Sequence, residues 1–186
     1  NRTPEGKLTG DVDFSAVEPI ASFITTGPYP LSYNGWGDVL VIVFFGFVPV
    51  GGTYYVQALT WTPDVTIASL ICGLLIDTLL VVNNYRDREA DARSGKRTVI
   101  VRFGEKFGRY FYLMLGITAS LLCLCFLREG HFYAAFLPQL YLIPHFLTWK
   151  RMVKIYSGKK LNSILGETSR NMLLMGILIA IGMLIN

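Results

Sequence analysis

The sequence predicts an all-α, polytopic transmembrane helical bundle, and three observations carry that prediction. Of 186 residues, 52% are hydrophobic and only 16% are charged, against roughly 25% charged in soluble domains; the mean hydropathy is +0.44. Five apolar stretches approach or reach the length of about 20 residues that a helix needs to cross a bilayer. The remaining charges are gathered, twelve of them between Arg86 and Arg109.

The first apolar stretch, Val39 to Leu59, carries no charge. The second, Val65 to Tyr85, holds one, Asp77, and ends on Asn83 and Asn84. Tyr110 to Leu127 and Phe132 to Trp149 are charge-free, and Asn171 to Asn186 is long enough only if its helix starts earlier, near Leu161. Five spans place the two ends of the bundle on opposite sides. Ahead of them, Gly27 to Asp38 (GPYPLSYNGWGD) is rich in turn residues and reads either as a plain turn or as a loop that contributes to a site. The first 26 residues lack the basic start and apolar core of a signal peptide, and the chain opens on Asn. We read it as a piece of a longer membrane protein.

Lysine and arginine favour cytoplasmic connections. Arg86 to Arg109 holds eight of them and Lys150 to Lys160 five, whereas Thr60 to Asp64 holds none and the turn near Gly130 only Arg128. The two basic loops are therefore expected in the cytoplasm, at what is expected to be a bacterial inner membrane. Residues 86 to 109 alone carry eight basic and four acidic groups, which accounts for the whole formal charge of +4. The basicity belongs to one loop and does not indicate a nucleic-acid partner. Cys72, Cys123 and Cys125 lie in apolar runs without metal-ligand or redox spacing.

The stretch that carries chemistry is NNYRDREAD, residues 83 to 91. On a helix, Asn83, Asp87 and Asp91 recur every four residues and fall within about 80° of one another. Their oxygens suit magnesium, which is commonly held by one or two carboxylates while substrate phosphates complete its shell. Arg93, Lys96 and Arg97 follow directly, with Arg102 further on, and can contact phosphate oxygens and a departing diphosphate. The plainer alternative is a solvated loop whose charges pair with each other; helical spacing allows Glu89 with Arg93 but not Asp87 with its neighbours Arg86 or Arg88. Ser94 to Thr98 (SGKRT) lacks the spacing of a phosphate-binding Gly-Lys-Thr loop, and Gly104 and Gly108 enclose charges that suit a helix start.

Asp77 lies ten residues before Asp87, about 15 Å deeper at about 1.5 Å per residue. Asn84 shares its face, so a polar stripe can run from mid-membrane towards the site. An ionisable residue at that depth is either a packing partner or part of a pocket. His131 and His145 read as structural, and Asn162, Glu167, Arg170 and Asn171 as a cap and anchors of the last span near the same surface.

At Asn83 to Arg97 (NNYRDREADARSGKR) the sequence resembles the second aspartate-rich motif of the UbiA-type membrane prenyltransferases. Gly95 to Thr98 (GKRT) and Val101 to Gly104 (VRFG) resemble most the branch that prenylates 1,4-dihydroxy-2-naphthoate in menaquinone synthesis. The resemblance runs from residue 27 to 186, while residues 1 to 26 show none and contain no first aspartate-rich motif. It implies nine helices around a cavity, of which this chain supplies the last five. It also implies that Asp87 and Asp91, assisted by Asn83, hold Mg2+, and that Lys96, Arg97, Arg86 and Arg93 bind the diphosphate of a polyprenyl donor, with Asn84 and Asp77 lining the pocket. The allylic cation would then alkylate the aromatic acceptor with loss of carbon dioxide, the prenyl tail lying in the lipid bilayer. With one motif of two, the isolated chain is expected to be inactive. Two readings compete. A CDP-alcohol phosphotransferase lacks its leading motif here, and a transport or structural subunit would use Asp77 and Asp87 for a cation pathway.

Overall fold

The computed structural model describes residues 35–185, which are helical almost throughout, with no strand among them. Residues 27–34 of the proline-rich loop and the segment before it lie outside the described residues. Helix α1 runs Gly37–Ala58, α2 Pro63–Arg93 and α3 Val99–Leu122, continued by a tighter 3₁₀ stretch, Cys123–Glu129. Short α4, Phe132–Phe136, leads through 3₁₀ turns into α5, Leu142–Ile155, and α6 spans Asn162–Ile185.

Four of these helical rods are long and apolar enough to cross a membrane. The predicted fourth span, Phe132 to Trp149, is the exception: Pro138 and Pro144 each lack the N–H that a helix interior uses, and the rod is pieced together from α4, 3₁₀ turns and α5. Its polar Gln139 and His145 face inward, where Gln139 Nε2 donates to the Ser120 carbonyl at 2.8 Å and His145 Nδ1 meets the Tyr141 hydroxyl at 2.9 Å. His145 is wholly buried and stacks on Tyr112 with ring centroids 4.7 Å apart, the structural role expected of it.

Local sequence explains the ends. In α2 the Thr62 hydroxyl accepts from the Val65 N–H at 3.4 Å and Pro63 occupies the first turn, where its missing N–H costs nothing. In α3 Thr98 caps in the same way, accepting from Val101 at 3.3 Å, so the Gly-Lys-Arg-Thr run places its threonine at a helix cap. Gly104, at φ 85° and ψ 171°, interrupts the first turns of α3, and the apolar helix proper begins after it. Helix α1 winds with wide π-type turns over Ile42–Gly51 around the internal Pro49.

In lipid, helices associate through close packing and buried polar contacts, since the tails are as apolar as leucine. Two buried clusters fill the bundle. One joins Val81, Tyr85, Tyr112, Met152 and Ile164, and the other Ile71, Leu75, Ala119, Phe126 and Met175. Both use α2 as the central element, so the helix that carries the acidic residues is also the best anchored.

Candidate functional site

The residues singled out by the sequence lie on the last turns of α2 and the loop that follows. Asn83, Asp87 and Asp91 project from successive turns and are all half-buried. Three carboxylates, Asp87, Glu89 and Asp91, sit at the C-terminal end of the helix, where the macrodipole is negative and disfavours them. That arrangement calls for cations.

The loop supplies one through a defined turn. Gly95 adopts φ 76°, its N–H bonding the Ala92 carbonyl at 3.3 Å, while the Lys96 N–H reaches back to the Asp91 carbonyl at 3.0 Å. This is the glycine-dependent helix stop in which the chain doubles back over its own last turn. It returns the Lys96 side chain onto α2, where Nζ lies 3.5 Å from Asp91 Oδ1. The other oxygen, Asp91 Oδ2, is buried without a hydrogen-bond partner among the described residues. Replacing Gly95 by Ala is expected to cost about 1–2 kcal/mol through the left-handed backbone. It should also loosen Lys96 from Asp91; a thermal midpoint equal to that of the wild type would show that the turn does not depend on Gly95.

Asp87 corrects one expectation. Adjacent side chains were expected not to pair, yet Arg86 folds along the helix so that its Nε donates to Asp87 Oδ1 at 2.7 Å and Nη2 to Oδ2 at 2.5 Å. The long arginine side chain spans what backbone spacing alone would forbid. Its Nη1 also donates to Asn162 Oδ1 at 2.8 Å, which links the site to the start of α6. Arg93 and Arg97 are exposed at the rim. Among the described residues no three His, Cys, Asp or Glu side chains gather as a metal-binding group. The open oxygen of Asp91, with Asp87 one turn away, is a donor set that fits a hard cation completed by phosphate oxygens.

Residues 15–183 match the UbiA prenyltransferase family. The chain belongs to that family. It is similar to 1,4-dihydroxy-2-naphthoate octaprenyltransferase of Haemophilus influenzae, 36% identical over 165 residues, which cover 87% of this chain and 53% of that protein. With the Escherichia coli protein of the same name it shares 42% identity over 100 residues, 54% of this chain and 32% of the relative. It is also 26% identical to UbiA prenyltransferase domain-containing protein 1 of Gallus gallus over 165 residues, 89% of this chain and 48% of the relative. The chain thus spans about half the length of the curated relatives it matches over most of its own length. No solved structure matches it.

Two features of this UbiA-family chain escaped the sequence reading. Asp38, from the first turn of α1, joins Asn84 and Lys96 in lining a small cavity of about 70 Å³, together with Gly35 and Thr98. The described end of the Gly-Trp-Gly-Asp loop therefore lies beside the acidic helix, in keeping with the second of the two readings of that segment, although Asp38 itself was not singled out. The second feature is a clamp on the far side of α2. Arg88 lies over the rings of Tyr85 and Tyr156 at 4.7 and 5.0 Å, and Arg109 over Tyr156 at 5.2 Å. Arg109 Nε donates to the Tyr85 hydroxyl at 2.9 Å, and both arginines reach Glu105. Hydrogen bonding to Glu105, with the charge of that carboxylate, raises the Tyr156 phenol above its ordinary range. Tyr156 itself takes the uncommon positive φ of 66°, with ψ −52°, and its carbonyl accepts from Arg88 Nη1 at 3.2 Å. Two basic residues, Arg88 on α2 and Arg109 on α3, thus fasten α2, α3 and the end of α5 together.

Proposed function

We propose that the full-length protein is a magnesium-dependent polyprenyltransferase that joins a polyprenyl group to 1,4-dihydroxy-2-naphthoate with loss of carbon dioxide, in menaquinone synthesis. The observation that carries this reading is the Asn83-Asp87-Asp91 series at the end of α2 with Lys96 folded back onto it, in a chain of the UbiA family. The names of the bacterial relatives support the naphthoate acceptor.

Asp87 and Asp91, with Asn83 beside them, are the residues that would hold magnesium. When bound, the ion neutralises charge that develops on the leaving diphosphate. Lys96 and Arg97 contact the diphosphate oxygens from the loop, and Arg86 and Arg93 flank them. Arg86 can serve in this way by exchanging its bonds to Asp87 for bonds to phosphate. Asn84 and Asp77 continue the polar stripe into the membrane, where the surrounding helices keep water from an allylic cation. The basic loops carrying the site face the cytoplasm, and the enzyme resides in a bacterial inner membrane. The 186-residue chain alone is expected to lack turnover.

The test is prenyl transfer by the full-length protein in proteoliposomes, with a polyprenyl diphosphate and a panel of aromatic acceptors, with and without magnesium. Transfer that requires the metal and prefers the dihydroxynaphthoate is expected. Transfer to none of the acceptors would exclude the reading.

A further inference from the structure

Two carboxylates outside the Asn83 to Asp91 series face each other where α1 crosses α2. Small residues set the register of that crossing: a Cβ at Gly37 would touch the Leu80 side chain at 3.4 Å, and one at Gly73 would meet the Ile42 backbone at 2.8 Å. Asp38 lies between these contacts on α1 and Asp77 between them on α2, so the antiparallel pairing brings the two side chains together. Asp77 is wholly buried, and Asp38 keeps 8% exposure. All four of their carboxylate oxygens are buried, and no other residue among those described offers them a cationic or side-chain N–H donor.

Among the described residues, the cations facing this corner are Lys96, which already holds Asp91, and Arg102, whose Nη1 would lie 3.6 Å from a Cβ at Gly35. Neither forms an ion pair with Asp38 or Asp77. Two like charges about 4 Å apart repel by about 4 kcal/mol even at an effective dielectric constant of about 20. Burial adds a desolvation penalty for each charge, and one shared proton replaces the repulsion with a short, charge-assisted hydrogen bond.

We propose that Asp38 and Asp77 share one proton and that Asp38 is the base that takes the hydroxyl proton of the aromatic acceptor. This rests on the prenyltransferase reading above. Asp38 lines the cavity with Lys96 and Asn84 and is the member of the pair that reaches it; Asp77, behind it, is a positioning residue that keeps the pair singly charged. The step balances. The C–O bond of the donor breaks with its electron pair leaving on the diphosphate, and a ring carbon of the dihydroxynaphthoate bonds to the allylic carbon. The hydroxyl O–H pair becomes part of a ring ketone as its proton passes to Asp38. Loss of carbon dioxide from the same ring carbon returns an electron pair to that ketone, and Asp38 gives the proton back to its oxygen.

The test uses the full-length protein in proteoliposomes. Asp38→Asn is expected to lower kcat by about 10²-fold, with the KM for prenyl diphosphate changed by less than about twofold, and Asp38→Glu to recover part of the loss. The infrared difference between wild type and Asp77→Asn at neutral pH should show the carbonyl stretch of a protonated carboxylic acid that the variant lacks, whereas Asp38→Asn should keep it on Asp77. A difference spectrum without that band, or an Asp38→Asn enzyme with unchanged kcat, overturns the proposal. Failure of the wild type to prenylate any dihydroxynaphthoate overturns the prenyltransferase reading and the catalytic role of Asp38 with it, and the infrared band then reports the acid pair by itself.

Discussion

Replacing Asp91 by Asn in the full-length protein is expected to reduce prenyl transfer by on the order of 10³-fold, the scale of losing a principal electrostatic contact to the leaving group. The effect follows from position. Asp91 is two residues from the end of α2, with one oxygen turned to Lys96 and the other buried and unpartnered among the described residues. An amide keeps the shape, removes the charge and leaves Lys96 without its partner. Asp87→Asn should lose a comparable amount by another route, since it also releases Arg86 from a two-pronged contact. Turnover measured against magnesium concentration distinguishes the two. Asp91→Asn should not be rescued by excess metal, and near-wild-type activity in either variant would remove that residue from the mechanism.

A large effect on stability is expected at Gly46. A side chain there meets the Ser69 carbonyl and the Gly73 backbone, the latter at 3.0 Å, and backbone cannot swing aside as a flexible side chain can. Gly46→Val should therefore force α1 away from α2 and destabilise the protein by about 3 kcal/mol, the upper part of the usual range for overpacking. Because the same crossing sets the Asp38 to Asp77 register, activity should fall together with the thermal midpoint in detergent. Gly52 sits on the same helix with nothing within 4 Å of a Cβ, and Gly52→Ala should stay within about 0.5 kcal/mol of wild type. Equal stability of the two variants would show that the close approach at Gly46 is not what holds α1 in place.

Much of this organisation was legible beforehand because its causes are local. Apolar length marked α1, α2, α3 and α6, and four-residue spacing placed Asn83, Asp87 and Asp91 on successive turns. The start of α6 at Asn162 agrees with the polar residues that precede the last apolar run. What was not legible depends on contacts between distant segments. Asp38 becomes a neighbour of Asn84 and Lys96 only once Gly37, Gly46 and Gly73 have set the α1 to α2 crossing. The Arg88 and Arg109 clamp needs Tyr85, Glu105 and Tyr156 from three separate segments. The Arg86 to Asp87 contact was excluded on backbone spacing, but it is decided by side-chain length.

Helix α2 is a single rod of 31 residues, about 46 Å at about 1.5 Å per residue, whereas the hydrocarbon layer is about 30 Å thick. Its acidic end therefore stands clear of the lipid tails while its lower turns remain among them. A prenyl diphosphate held at that end would lie along the rod, head in water and isoprenoid in oil, as it already does when free in the bilayer. Binding then requires a sideways glide within one leaflet and no transfer of the tail through water.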